Sequence, residues 1–184
     1  MEYVLAITGG SGIAYGFNIL ENLPSRKVLI LSNGALEVAK YEMRGSLSIE
    51  SIRKEVDEFH MEDDMTAPQA SGSHKFEALM IAPASMNTVA KIASGISDNL
   101  VTRVASVALK ERRKFILLFR EMPLSSIQLQ NLLKLSESGA IVMPASPGFY
   151  HSPRNINDML AFVTSRVLDE LGLENSMIRR WGDK

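Results

Sequence analysis

Between Met80 and Glu121 the chain gathers the residue types that hold phosphate without a metal. Ser85, Met86, Asn87 and Thr88 follow the apolar run Leu79 to Ala82 and open a helix-like segment. Hydroxyls at such a start either cap the helix or offer donors to an anion, which the helix dipole favours. Arg103 and Lys110 stand seven residues apart, which at about 100° per residue puts them nearly on one helix face. Arg120 and Glu121 directly follow Phe115 to Phe119. A guanidinium there suits a bidentate grip on phosphate; an ion pair closing the strand end is the plainer reading. Arg112, Arg113 and Lys114 read as a solvated basic face, whereas Arg103, among Val101, Val104 and Ala105, reads as buried or ligand-bound.

A second set lies outside that stretch. Gly9-Gly10-Ser11-Gly12 follows the apolar run Tyr3 to Thr8. Between a strand and a helix, such a loop cradles phosphate with backbone N–H groups, or is a tight turn with Ser11 as the helix cap. It is not a dinucleotide fingerprint. Counted from Gly10, the third glycine position falls on Tyr15, and Ser32 stands where an acidic residue would meet a ribose hydroxyl. NAD is disfavoured and a mononucleotide is not. Arg166 sits among Phe162, Val163, Val167 and Leu168, so its stem is expected to be buried. His60 and His74 fall in a polar region and read as solvated, while His151, beside Tyr150, could touch a ligand. No pair of histidines or carboxylates has metal-ligand spacing.

These residues work together only if the fold brings them to one edge. Five apolar runs read as buried strands: Tyr3 to Thr8, Val28 to Leu31, Leu79 to Ala82, Phe115 to Phe119 and Ala140 to Met143. Helical segments alternate with them at Ile13 to Leu23, Ala35 to Met43, Met86 to Ser94, Leu100 to Arg112, Ser125 to Ser138 and Asn155 to Leu171. The alternation predicts a doubly wound α/β fold with a parallel sheet. Ser46 to Phe76 is polar, with a helix expected near Ile49 to Phe59 and a long connection after it. In parallel sheets, ligands bind beyond the carboxyl ends of strands. The five runs are followed there by Gly9 to Gly12, by Ser32-Asn33, by Ser85 to Thr88, by Arg120-Glu121 and by Pro147 to His151.

Composition narrows the classes. With 184 residues and 46% hydrophobic content, one domain with an ample core is expected. Twenty basic residues against 21 acidic ones give a formal charge of -1, hence no general attraction to nucleic acid or an anionic membrane. The absence of cysteine excludes disulfides, thiolate metal sites and Cys nucleophiles, and fits a cytoplasmic setting. No apolar stretch approaches the ~20 residues of a membrane helix, and no signal peptide is read at the start.

The motifs resemble those of the flavin prenyltransferase family, UbiX/Pad1-like, over nearly the whole chain. The resemblance is carried by Gly9 to Gly12, Ala70-Ser-Gly-Ser73, Ala82 to Thr88, Asp98 to Arg103, Leu109 to Arg113, Arg120 to Leu124, Phe149 to Pro153 and Arg166 to Asp169. It implies a flavodoxin-like, Rossmann-like three-layer sandwich that binds FMN. It implies metal-independent transfer of a dimethylallyl group from dimethylallyl phosphate to N5 and C6 of reduced FMN, giving prenylated FMN for a partner UbiD-type decarboxylase. It also implies a homododecamer.

Carried over by position, Gly9, Gly10, Ser11, Ser32, Ser85, Met86, Asn87, Thr88 and Arg120 are the expected FMN contacts. Tyr150, Arg166 and Lys110 are expected to grip dimethylallyl phosphate, with Arg103 and Glu121 adjacent. Glu42 matches an active-site acid, and Trp181 an aromatic in a tail, from about residue 173, that covers the site or a neighbouring subunit. Lys110, Glu121, Glu42, Arg103 and Trp181 are thus the expected catalytic set, either glutamate managing a proton. Gly10, Ala84, Asn87, Met122 and Gln128 depart from the pattern, with Asn87 removing a positive charge. Two other readings are an FMN-dependent decarboxylase of the Cys-decarboxylase flavoprotein group and a non-catalytic flavin carrier. The lack of Cys, and of His in the first helices, opposes the decarboxylase.

Overall fold

The computed structural model describes residues 1–43 and 48–182. The start of the polar region at Ser46 therefore lies outside the described residues. A six-stranded parallel sheet is built from β1 (Glu2–Ile7), β2 (Arg26–Leu31), β3 (Glu58–Met61), β4 (Ala78–Ala84), β5 (Lys114–Phe119) and β6 (Ile141–Pro144). Its order is β3-β2-β1-β4-β5-β6, all pairs parallel. Leaving out the edge strand β3, the order is the flavodoxin-like one, and the switch point lies between β1 and β4.

The β3 strand corrects the expected helix from Ile49 to Phe59. Only α3 (Ile49–Arg53) is helical there, and Phe59 lies in the strand. The run Glu58-Phe-His-Met61 is short and polar, because an edge strand is not buried on both faces. It carries no apolar signal of the kind that marks β1, whose six residues are all buried.

The helices are α1 (Ile13–Asn22), α2 (Asn33–Glu42), α4 (Met86–Ala93), α5 (Leu100–Lys110), α6 (Ser126–Glu137) and α7 (Ile156–Leu171). Alternate strand side chains feed two cores. Val4, Ala6, Leu79, Ile81, Phe115 and Leu117 pack toward α4, α5 and α6. Leu5, Ile7, Leu29, Met80, Ile116 and Leu118 pack toward α1, α2, α3 and α7. Each fully buried Leu or Ile contributes roughly 1.5–3 kcal/mol. That two-sided burial holds the strand ends, and hence the site, in register. Near the switch point the β4–β5 register shifts between Ile81 and Ala84, where Pro83 offers no N–H to the ladder. Among the described residues, no helix is long and apolar enough to cross a membrane.

Candidate functional site

Three helix N-termini converge at the carboxyl ends of β2, β1 and β4. Ser32 caps α2 by accepting from Ala35 N (3.0 Å). Ser85 caps α4 by accepting from Thr88 N (3.2 Å), and its hydroxyl meets that of Thr88 at 3.0 Å. Both serines thus serve as helix caps, yet each keeps hydroxyl capacity facing the edge. Thr8, which the sequence reading passed over, ties the ends together: its hydroxyl donates to Pro83 O (2.8 Å) and accepts from Ser85 N (2.7 Å). A lone threonine closing an apolar strand before glycine was its only signal.

The glycine loop fits into this convergence because it lacks side chains. A Cβ on Gly9 would stand 3.1 Å from the Gly34 backbone, so the first loop and the α2 start meet backbone to backbone. A Cβ on Gly10 would meet Pro83 Cβ at 3.4 Å and the Ala84 and Ser85 backbone at 3.6 Å, ordinary contacts, so the departure at Gly10 is sterically benign.

Gly12, not Ser11, is the N-cap of α1, in a left-handed conformation with no side-chain cap of its own. The Glu42 carboxylate supplies it, accepting from Gly12 N (3.0 Å) and Ile13 N (2.9 Å). Burial raises the proton affinity of Glu42. The Ser11 hydroxyl, the Gly12 and Ile13 N–H groups and the Arg120 guanidinium outweigh it and hold the carboxyl below its ordinary range. Glu42 is therefore an ionised carboxylate at neutral pH, suited to accept a proton rather than to deliver one.

Arg120 reaches back from the end of β5, its Nε donating to Ser11 O (3.3 Å). Glu121 turns the other way, accepting from Met122 N (3.2 Å). The strand-end ion pair is replaced by a guanidinium anchored at the glycine loop, where its charge is felt by Glu42. Met86 packs against the α4–α6 core, and Asn87 is exposed in the first turn of α4. Gln128 accepts from Ser125 N (2.8 Å) as part of a capping box on α6.

The other expected residues form two further groups. On α7 and the tail, Tyr150 lies edge-on to Trp181 (5.2 Å between ring centres) and to Phe162 (5.5 Å). Arg166 is exposed rather than stem-buried, because it falls between the inward positions of α7, and its Nη1 donates to Asp169 (2.7 Å). Asp169 is shared with Arg180, which folds the tail back on α7. His151 stacks on Phe162 at 5.1 Å, and its Nε2 donates to the Asp158 backbone O (3.2 Å).

The third group lies across the sheet. Arg103 is half-buried, its Nε donating to Ala70 O (2.9 Å). The α5 helix begins at the carboxyl edge, where Leu100 N donates to Glu62 O (2.7 Å). It ends at Lys110, just before β5 starts at Lys114, so Lys110 stands at the opposite, amino edge of the sheet. There it pairs with Glu111. Arg113 is no solvated charge: it donates to Gly72 O (2.7 Å) and lies 4.2 Å over the Phe76 ring. His60 and His74 are not solvated either. His60 meets Asp64 at 2.7 Å, and His74 meets the buried Glu2 at 2.8 Å.

One chain therefore brings together the expected FMN contacts Gly9 to Ser11, Ser32, Ser85 to Thr88 and Arg120, with Glu42, the expected acid, beside them. It brings Tyr150, Trp181 and Arg166 together on the α7 side, and leaves Arg103 and Lys110 on the α5 side. The cradle's donor set fits FMN: hydroxyls, the Arg120 guanidinium and those N–H groups of the loop and helix starts that Glu42, Ser32 and Ser85 do not take suit a single phosphate, and no acidic side chain follows β2 directly. Among the described residues no cluster of His, Cys, Asp or Glu could hold a metal.

This geometry is that of a doubly wound flavin-mononucleotide protein, and residues 1–168 match the Flavoprotein family, to which the chain belongs. Within it the similarity is to flavin prenyltransferases UbiX. That of Methanocaldococcus jannaschii is 48% identical over 184 residues, covering 99% of each chain. A solved structure of AnUbiX (PadA1) in complex with FMN and dimethylallyl pyrophosphate is 35% identical with a TM-score of 0.94, covering 100% of this chain and 98% of that one. A dodecameric FMN-dependent UbiX-like decarboxylase from Escherichia coli O157:H7 is 36% identical with a TM-score of 0.94, covering 100% of both.

Proposed function

We propose that this chain is a flavin prenyltransferase that moves a dimethylallyl group from dimethylallyl phosphate to reduced FMN. The observation that carries the reading is the coexistence of a finished mononucleotide cradle with separate cations the cradle does not use. One phosphate accounts for Arg120 and the helix starts; Arg103, Lys110 and Arg166 call for a second anion. The near-full-length similarity to flavin prenyltransferases supports the same conclusion.

Reduced FMN, when bound, supplies the nucleophilic N5 and then C6 to the prenyl carbons. The chain's residues do the rest. Gly9 to Ser11, Ser32, Ser85 to Thr88 and Arg120 seat the flavin phosphate. Lys110, Arg103, Arg166 and Tyr150 hold the donor phosphate and stabilise the charge it takes on leaving. The faces of Tyr150 and Trp181 offer quadrupole stabilisation to the allylic carbon as positive charge develops. Glu42, kept ionised, accepts a proton at its carboxylate oxygen; Glu121, at the end of β5, is the second candidate.

Because Lys110 and Arg166 lie on opposite faces of the sheet, no single chain delivers both to its own cradle. Their joint use requires neighbouring copies, in keeping with a homododecamer. The product is read as prenylated FMN for a UbiD-type decarboxylase in the cytoplasm. The decarboxylase alternative loses ground: the chain has no cysteine, and none of its three histidines stands at the glycine loop.

The test is anaerobic incubation with reduced FMN and either dimethylallyl phosphate or the diphosphate, followed by mass analysis of the flavin. Gain of one dimethylallyl unit with either donor supports the reading and ranks the two donors. No added mass with either overturns it and leaves a flavin carrier.

A further inference from the structure

The Ala70-Ser-Gly-Ser73 motif has no role in the flavin cradle, yet it touches the α5 cations. It sits at the apex of the segment joining β3 to β4. The flanks of that segment are pinned at the amino edge of the sheet. Gln69, fully buried, donates to Glu2 (3.2 Å) and Glu58 (2.9 Å). His74 meets Glu2, and Phe76 is buried beneath Arg113. The apex cannot retreat without breaking buried polar contacts.

At this fixed apex, Ala70 O holds Arg103 by Nε alone, leaving the two terminal nitrogens of the fork for an anion. Gly72 lies directly against the Lys110–Glu111 pair. A Cβ at Gly72 would stand 2.6 Å from Lys110 Nζ and 2.5 Å from Glu111 Oε1. Gly72 is not in a left-handed conformation, so what favours glycine there is space for the Lys110–Glu111 pair and not backbone strain. What a side chain would displace is the far end of two flexible side chains, not the fold.

We propose that Gly72 is a positioning residue for the donor phosphate, acting through Lys110: its bare Cα lets the ammonium close onto the pinned segment at a fixed distance from Arg103. The inference rests on the reading above that Lys110 holds the donor phosphate. Arg103 and Lys110 are two turns apart, about 10 Å along the axis. Their side chains can converge on one anion only if each is held at its inner reach, and the segment supplies that limit at both positions.

The test uses the full chain loaded with reduced FMN and assays dimethylallyl phosphate. Gly72→Ala raises KM for the donor about tenfold, the loss of one charge-assisted contact. Its kcat, FMN affinity and thermal midpoint are little changed. Gly72→Ser raises KM further. Lys110→Met alone raises KM more, and adding Gly72→Ala to it has no further effect, because the position acts through the ammonium. A raised KM in Lys110→Met beside an unchanged KM in Gly72→Ala overturns the positioning role alone. So does an equal Gly72→Ala effect in the Lys110→Met background, or an effect accompanied by a lowered thermal midpoint. An unchanged KM in Lys110→Met defeats the donor-phosphate reading itself, and the inference with it.

Discussion

The cradle beyond β1, β2 and β4 and the cations of α5 and α7 are both anion-binding chemistry, built in opposite ways. The cradle takes its donors from backbone N–H groups fixed by helix starts, and its one guanidinium, Arg120, is held by Ser11 O. It is finished inside one chain. The α5 and α7 cations are side chains, each held by a local partner: Arg103 by a carbonyl, Lys110 by Glu111, Arg166 by Asp169. They stand on opposite faces of the sheet, so on the proposed reading another surface must bring them together. In the same reading, a flavin that must stay seated while the prenyl group is attached, and leaves only as the finished product, suits the first construction. A donor that must enter, give its prenyl group to the flavin and release its phosphate suits the second, where local carboxylates keep Lys110 and Arg166 paired between turnovers.

The sharpest way to break this contrast is complementation. Lys110→Met and Arg166→Ala are each expected to cut kcat/KM for the donor by about a hundredfold or more, with FMN still bound. If the two cations come from different chains, assembling the two variants together restores roughly a quarter of sites under random mixing. Activity in the mixture, measured as prenylated flavin per total chain, should rise well above either variant alone. A mixture no better than its parents would mean that one chain supplies both groups, and the proposed division would fall.

The cradle is probed separately. Glu42→Ala removes the side-chain cap of α1 and leaves the Gly12 and Ile13 N–H groups without their carboxylate. The expected loss is about 1–2 kcal/mol of stability, seen as a lowered thermal midpoint. Glu42→Gln keeps one acceptor and should lose less. Ser85→Ala removes the α4 cap, an effect of about 1 kcal/mol, and should weaken FMN while leaving donor KM at saturating flavin almost unaltered. A Ser85→Ala variant that raised donor KM with FMN affinity intact would erase the boundary between the two regions.

This difference also explains what could be read from the chain before its fold was known. Strands buried on both faces announce themselves as apolar runs, so β1, β2, β4 and β5, and the loops that follow them, were legible; β6, the other edge strand, was legible because Ala140 to Met143 is apolar although the strand is only half-buried. The edge strand β3 was not, because a half-exposed strand carrying Glu58 and His60 has no such run. The helix cap at Ser85 was legible from local spacing. The capping of α1 was not, since Glu42 comes from 30 residues downstream of Gly12. The solvated reading of Arg113, His60 and His74 failed for a related reason: their partners Gly72, Asp64 and Glu2 include positions up to 72 residues away. Local pattern shows which charges exist, and only the tertiary fold shows which of them are already spent on one another.

The smallest expected effect concerns how the tail joins the α7 group. Asp169 holds Arg180 and Arg166, and Asn175 donates to it at 3.1 Å. The hydrogen bond from Arg180 comes first among the influences that lower its carboxyl below the ordinary range, partly opposed by burial. A carboxyl with a lowered value in the folded chain stabilises tail docking fully above the ordinary carboxylate range, about pH 4. That stabilisation disappears as pH falls through the lowered value. Trp181 is the only tryptophan of the chain and lies against Tyr150, so its fluorescence reports the tail directly. It should hold steady from neutral pH down to about pH 5 and change below the ordinary carboxylate range, before far-ultraviolet circular dichroism records loss of the helices. Asp169→Asn should shift the signal toward its acid value already at neutral pH and flatten the acid transition. A full transition surviving in that variant would show that the tail is held by its apolar contacts alone, and that the α7 cations, unlike the cradle, do not depend on a carboxylate to keep them in place.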